Sequence, residues 1–152
     1  MKAKLLLKNG RIFEGLSVGS NGTVYGEICS CTAMTGYQEI LTDENYSGKI
    51  VVFTYPEIGN YGICADEMPT NQAPVKALIM KNFCQQESHY KSTENLGAFL
   101  KRKEIIAISN VDTREITSII RKEGAMPCLV TTEDISNEMK NKLNIWQADK
   151  NN

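Results

Sequence analysis

Glycines divide the first thirty residues into runs that are too short to form helices. Asn9-Gly10, Gly15, Gly19, Asn21-Gly22 and Gly26 separate apolar or alternating runs of only a few residues. Glycine and Asn-Gly pairs favour turns, and short runs between turns are typical of β-strands. The chain therefore has to begin as a sheet, and we expect a β-rich first half.

The strands of this half follow from local composition. Asn9-Gly10 suits a tight type I′ turn and predicts a hairpin around it. A run rich in β-branched and aromatic residues stops at Pro56, as expected of a buried strand. The predicted strands are residues 4–8, 11–14, 23–31 and 49–55.

From residue 75 onward the pattern alternates between strands and helices. Asp112 and Glu115 have the spacing of a capping box, which predicts a helix that ends before Gly124. Its apolar face comprises Ile116, Ile119 and Ile120. The other predicted elements are strands at 75–80, 105–109 and 125–131, a helix at 93–102, and a last helix capped by Thr132 that carries Ile135, Met139 and Leu143. The predicted fold class is α/β, and the lack of repeats or long linkers predicts one domain over residues 1–152.

Charge and composition argue against several classes of partner. The chain has 17 Lys and Arg against 18 Asp and Glu, a formal net charge of -1, so nucleic acid is not an expected partner. No stretch approaches the roughly 18 apolar residues of a spanning helix, and no membrane association is expected. Five scattered cysteines without paired spacing predict reduced thiols in the cytoplasm.

The sequence offers little catalytic machinery. His89 is the sole histidine, and Cys84 lies five residues before it, so a hydrolase dyad is one hypothesis. Sequence proximity alone does not establish such a dyad, and one histidine cannot build a histidine-rich metal site. Cys29 and Cys31 have strand spacing and are expected to pack as small apolar side chains. We expect no catalytic residue, no metal site and no bound cofactor.

Residues 34–43 combine glycine, hydroxyls, amides and an aromatic ring between two predicted strands. They could be a structural connection in which Tyr37, Ile40 and Leu41 cover the sheet. The same mixture is also common on surfaces that contact a partner. Composition alone favours the structural connection over the partner surface.

Five blocks of sequence together resemble the carbamoyl phosphate synthetase small subunit, in order and spacing, over residues 5–130. They are Met34-Thr-Gly-Tyr-Gln-Glu-Ile-Leu-Thr-Asp43, Phe53-Thr-Tyr-Pro56, Ile58-Gly-Asn-Tyr-Gly62, Val111-Asp-Thr-Arg114 and Ile120-Arg-Lys-Glu-Gly-Ala125. Five blocks in register are much more specific than any single motif. The resemblance implies an N-terminal domain with the swivelling β/β/α fold. The family's C-terminal class I glutamine amidotransferase domain is expected to be absent from this chain.

The resemblance also implies a function and partners. In this family the nucleophile lies in a Gly-x-Cys-x-Gly elbow, which surrounds none of the five cysteines, so the chain is not expected to hydrolyse glutamine alone. The implied partners are the large synthetase subunit and the amidotransferase domain, with ATP and Mg on the large subunit. The implied role is support of carbamoyl phosphate formation from glutamine, bicarbonate and ATP, for pyrimidine or arginine biosynthesis.

Particular residues follow from the same resemblance. Thr35, Gly36, Tyr37 and Gln38 are expected at an interface with a partner. Asn45 aligns with a family serine at the edge of the glutamine pocket. An amide can replace the hydroxyl's hydrogen bonds but is bulkier. The alternative is a free-standing small-molecule binding or regulatory module derived from this domain.

Overall fold

The computed structural model describes residues 2–31, 46–54, 57–58, 75–83 and 96–147. Their strands are β1 (Lys2–Leu7), β2 (Ile12–Ser17), β3 (Thr23–Cys31), β4 (Lys49–Phe53), β5 (Glu57–Ile58), β6 (Ala77–Ile79), β7 (Asn82–Phe83), β8 (Ile106–Ser109) and β9 (Pro127–Thr131). Their helices are α1 (Leu96–Arg102), α2 (Thr113–Glu123) and α3 (Asn137–Ile145).

Seven of these strands close into a barrel in the order β1, β2, β8, β6, β4, β3, β9. Strand β1 runs antiparallel to β2 and β9, whereas β3, β4, β6 and β8 are parallel to one another. The predicted α/β class is confirmed as a mixed sheet with helices. The two halves of the sequence are not separate layers, because strands of the second half lie between strands of the first around the barrel.

Strand β4 shows why the barrel has an apolar interior and an apolar outer face. Its residues alternate, so Ile50 and Val52 join the cluster inside the barrel while Val51 and Phe53 join a second cluster with helix α1. All four side chains are fully buried. A continuous apolar run is typical of a parallel strand that is covered on both faces.

Helix α2 begins and ends as predicted. The Asp112 carboxylate accepts a hydrogen bond from the Glu115 amide at 3.1 Å. At the other end Gly124, with φ +85°, donates its amide to the Ile120 carbonyl at 2.8 Å. Ile116 and Ile119 are buried in the interior cluster, so this helix is anchored against the barrel.

The predicted type I′ turn at Asn9-Gly10 is wrong. A type I′ turn needs positive φ at both central residues, and only Gly10 has it, with φ +95°. The Gly10 amide donates to the Leu7 carbonyl at 2.9 Å, so the tight turn begins at Leu7, one residue earlier than predicted. The Asn9 side chain instead accepts from the Arg11 amide at 2.9 Å, a local bond that asparagine favours.

The predicted cap of the last helix is also wrong. Ser136 caps α3, and its hydroxyl accepts from the Met139 amide at 3.2 Å. The Thr132 hydroxyl accepts from the Gly22 amide at 2.9 Å, and the Thr132 amide donates to the Gly22 carbonyl. Thr132 therefore extends the pairing of β9 with β3. Ile135 precedes α3 and packs against the apolar cluster of Leu6, Leu129 and Leu143.

Strands β5 and β7 form a separate two-stranded parallel sheet that was not predicted. Strands of two residues are too short to show a period of two, which is the signal that sequence analysis relies on. No helix of the described residues has the length and apolar character needed to cross a membrane.

Candidate functional site

Four parallel strands end at one edge of the barrel, and a cavity of about 1190 Å³ opens there. The last residues of these strands are Cys31, Phe53, Ile79 and Ser109. In sheets of parallel strands, ligands commonly bind outside the carboxyl ends. Ser30, Thr54, Lys81 and Asn110 line the cavity from the strand side.

Helix α2 supplies the opposite wall. Arg114, Thr117, Ser118 and Arg121 line the cavity at positions i, i+3, i+4 and i+7, which share one face of a helix. The apolar face of the same helix packs into the barrel. The helix is therefore held by its isoleucines while a polar stripe faces the cavity.

Asn110 occupies a strained backbone position at this edge. Its φ is +65°, in the left-handed region that few residues except glycine, asparagine and aspartate adopt readily. Its amide donates to the Lys81 carbonyl at 2.8 Å. This bond joins the chain leaving β8 to the chain leaving β6, so Asn110 and Lys81 are positioned together at the mouth of the cavity.

Three of the five blocks that carry the family resemblance contribute to the cavity wall. Thr54 belongs to the second block, Val111 to Arg114 form the fourth, and Ile120 and Arg121 open the fifth. The first block begins at Met34, three residues after β3 ends at this edge. Among the described residues, three blocks of the resemblance therefore contribute to one end of the barrel.

The residues predicted to form sites lie elsewhere in the sequence. Thr35, Gly36, Tyr37, Gln38 and Asn45 fall outside the described residues, as do Cys84 and His89. Several residues that line the cavity belong to the family blocks, but none was predicted from sequence to form a site. One signal for them is present in the sequence, because polar residues of α2 recur at i, i+3, i+4 and i+7.

The described cysteines are structural. Cys29 and Cys31 both pack on the outer cluster of the barrel, as expected from their spacing. Burial raises the pKa of the Cys29 thiol to about 11, although the nearby Lys49 acts in the opposite direction. Burial also raises the pKa of the Cys128 thiol, and the neighbouring Cys29 adds to that shift. Thiols of raised pKa remain protonated at neutral pH and are poor nucleophiles. In the described part of the chain, no cluster of three or more His, Cys, Asp or Glu side chains could hold a metal ion.

Comparison with known proteins gives a consistent family. Residues 5–130 match the family model "Carbamoyl-phosphate synthase small chain, CPSase domain". The chain is 44% identical to the carbamoyl phosphate synthase small chain of Akkermansia muciniphila over 133 residues, and 46% identical to that of Buchnera aphidicola over 135 residues. It is 44% identical to the pyrimidine-specific small chain of Bacillus subtilis over 134 residues.

These alignments cover 88%, 89% and 88% of the chain but 36%, 34% and 37% of the three relatives. The chain thus spans about a third of the length of the curated relatives it matches. Among solved structures, an aminopeptidase from Aneurinibacillus sp. strain AM-1 aligns over 85% of this chain and 30% of its own, with 14% identity and a TM-score of 0.45. That likeness is too weak to indicate fold or function. By its family match and its curated relatives, the chain belongs to the carbamoyl-phosphate synthase small chain family and corresponds to the CPSase domain of that family.

Proposed function

We propose that this chain is the N-terminal interaction domain of the glutamine-handling subunit of carbamoyl phosphate synthase, and that its fold is the swivelling β/β/α domain. In this role it docks in the cytoplasm against the large synthetase subunit and the amidotransferase domain. It thereby supports carbamoyl phosphate formation from glutamine, bicarbonate and ATP. The observation that carries the proposal is that three of the family's sequence blocks contribute described residues to the carboxyl edge of the barrel.

The described cysteines are not suited to act as nucleophiles. A cysteine nucleophile needs a lowered pKa or an adjacent base, whereas burial raises the pKa of both Cys29 and Cys128. Cys31 is buried in the outer apolar cluster. The described residues thus present a packed scaffold with a polar edge, which is suited to holding partners in place.

Tyr37 and Gln38 are the residues we propose to contact the large subunit. An aromatic anchor in a protein interface commonly contributes 2 kcal/mol or more, which corresponds to about 30-fold in affinity. We expect Tyr37→Ala to weaken capture of the large subunit by about that factor while the free energy of unfolding stays unchanged. Gln38→Ala should weaken capture to a smaller extent. Binding would be measured by surface capture, and stability by urea denaturation.

The matched control is Gln147→Ala, at an exposed glutamine that follows helix α3. It should leave both capture and stability unchanged. Severe unfolding of Tyr37→Ala, with Gln38→Ala neutral in both assays, would show that the loop is a structural connection and would contradict the proposed interface.

Asn45 is proposed to line the edge of the glutamine pocket. In a complex of this chain with a large subunit and an amidotransferase domain, Asn45→Ser should change the apparent affinity for glutamine. The rate of carbamoyl phosphate synthesis from free ammonia should be unchanged, because that reaction bypasses glutamine. An unchanged glutamine affinity would remove Asn45 from the site.

The cavity favours a second candidate function, a free-standing small-molecule binding or regulatory module. A cleft with several converging polar groups is the usual form of a ligand site. Measurement of large-subunit capture discriminates between the candidates, because a module that acts alone has no reason to bind that subunit.

A further inference from the structure

Positive charge is concentrated on the wall of the carboxyl-edge cavity. Lys81 enters it from the end of β6, and Arg114 and Arg121 enter it from α2. None of these three side chains forms an ion pair with any residue that the structure describes. Asp112 is the one acid among the described lining residues, and its carboxylate is engaged by the Glu115 amide. The cavity wall thus carries three positive side chains and one carboxylate, which already accepts a hydrogen bond. The chain as a whole has a formal net charge of -1.

Thr113 provides an independent observation. The residue lines the same cavity although it is only 4% exposed. Its backbone carbonyl accepts from the Thr117 hydroxyl at 2.7 Å, but its own hydroxyl has no partner in the described part of the chain. A buried hydroxyl without a partner is unfavourable, so a ligand that accepts a hydrogen bond from it would be stabilised.

The first turn of α2 adds a donor. The amides of Thr113, Glu115 and Ile116 donate to Val111, Asp112 and Asp112 respectively. The Arg114 amide, which lies between them, has no acceptor among the described residues. The first amides of a helix have no partner within it and favour negative charge. This amide, the Thr113 hydroxyl and the Arg114 guanidinium thus belong to adjacent residues on one wall.

We propose that this cavity binds an oxyanion, a phosphate or carboxylate group, held by Arg114 and the Thr113 hydroxyl with Lys81 and Arg121 adding positive charge. A guanidinium forms two parallel hydrogen bonds to such a group, which gives both affinity and orientation. The oxyanion belongs either to a small free ligand or to an acidic side chain of the large subunit. The first source does not depend on the proposed docking role, because an isolated chain would bind a free anion. The second source rests on that role, and its test is capture of the large subunit.

The first experiment titrates inorganic phosphate into the intact chain at constant ionic strength, with chloride as the balancing anion, and measures heat release and the thermal midpoint. We expect saturable binding and a raised midpoint in phosphate. Arg114→Gln should weaken the binding by about tenfold or more, as expected for loss of a charge-assisted pair. Thr113→Val, which keeps the shape but removes the hydroxyl, should also weaken binding, yet leave the thermal midpoint in chloride unchanged or higher.

The matched control is Lys122→Gln, which removes a positive charge from an exposed residue of α2 that does not line the cavity. It should retain wild-type phosphate affinity. Equal loss in Lys122→Gln and Arg114→Gln would mean diffuse attraction to the helix and would overturn the proposal. A lower midpoint of Thr113→Val in chloride, with phosphate affinity intact, would likewise remove the hydroxyl from the site.

The second experiment identifies the source of the oxyanion. Capture of the large subunit is measured for the wild type, Arg114→Gln, Thr113→Val and Lys122→Gln, with and without phosphate. If the isolated chain does not bind phosphate but Arg114→Gln and Thr113→Val lose capture, the oxyanion is an acidic side chain of that subunit. If neither phosphate binding nor capture responds to these variants, the site does not exist. Phosphate binding without any capture of the subunit would support the site and contradict only the docking role.

Discussion

Phe53→Ala should lower the free energy of unfolding by about 3 to 5 kcal/mol, as truncation of a buried aromatic ring generally does. Phe53 is fully buried at the end of β4. It packs in the outer cluster with Phe99 and Leu100 of helix α1. Its removal leaves a cavity between barrel and helix that rigid strands cannot close, so the full loss should be seen in urea denaturation.

The control for this truncation is Ile145→Ala, since Ile145 is 80% exposed. That change should cost no more than about 0.5 kcal/mol, as is usual for exposed positions. If Phe53→Ala proves too unstable to purify, Phe53→Leu retains most of the apolar volume and should lose less stability than Phe53→Ala. A loss below about 1 kcal/mol for Phe53→Ala would contradict the packing described for β4 and α1.

Gly15→Ala is the second large effect, because the β2 and β8 backbones approach closely at Gly15. An added Cβ would overlap the Ser109 carbonyl oxygen and would lie 2.7 Å from both Ile108 Cγ2 and Val111 Cγ2. The obstructing oxygen belongs to the backbone, so relief requires the two strands to separate where they close the barrel. We expect a loss of about 3 kcal/mol, at the upper end of overpacking effects, with a corresponding fall in the thermal midpoint.

Gly48→Ala separates crowding from conformational strain. Gly48 has φ +75°, but an added Cβ would meet nothing within 4 Å. Alanine there should lower the free energy of unfolding only through the left-handed backbone conformation, by roughly 1 to 2 kcal/mol. If Gly15→Ala cost no more than Gly48→Ala, the close approach of β2 and β8 would not be present in solution.

Local signals predicted the elements of this fold, but not their arrangement. The cap at Asp112, the isoleucine spacing and Gly124 together place helix α2 nearly to the residue. Each predicted strand overlaps an observed one. Pairing such as that of Leu16 with Ser109 joins residues distant in sequence, and no local property encodes it. Thr132 shows the same limitation, because its suitability as a helix cap is overridden by its bonds to Gly22.

The candidate site was harder to predict than the fold. The resemblance pointed to Thr35, Gly36, Tyr37, Gln38 and Asn45, and these remain predictions because they lie outside the described residues. The cavity depends on residues from four strand ends and one helix, which meet only after the barrel has closed. A buried hydroxyl without a partner, like that of Thr113, cannot be recognised until its surroundings are known.

Closure of the barrel restricts how other proteins can recognise this chain. Every barrel strand is paired on both sides, so that sheet presents no edge of free amides and carbonyls. Open edges are where foreign strands add to a sheet, whether in peptide recognition or in aggregation. A partner therefore cannot extend the barrel by strand addition. It has to recognise side chains, helices or connecting segments, and its specificity can change there while the pairing of the strands is preserved.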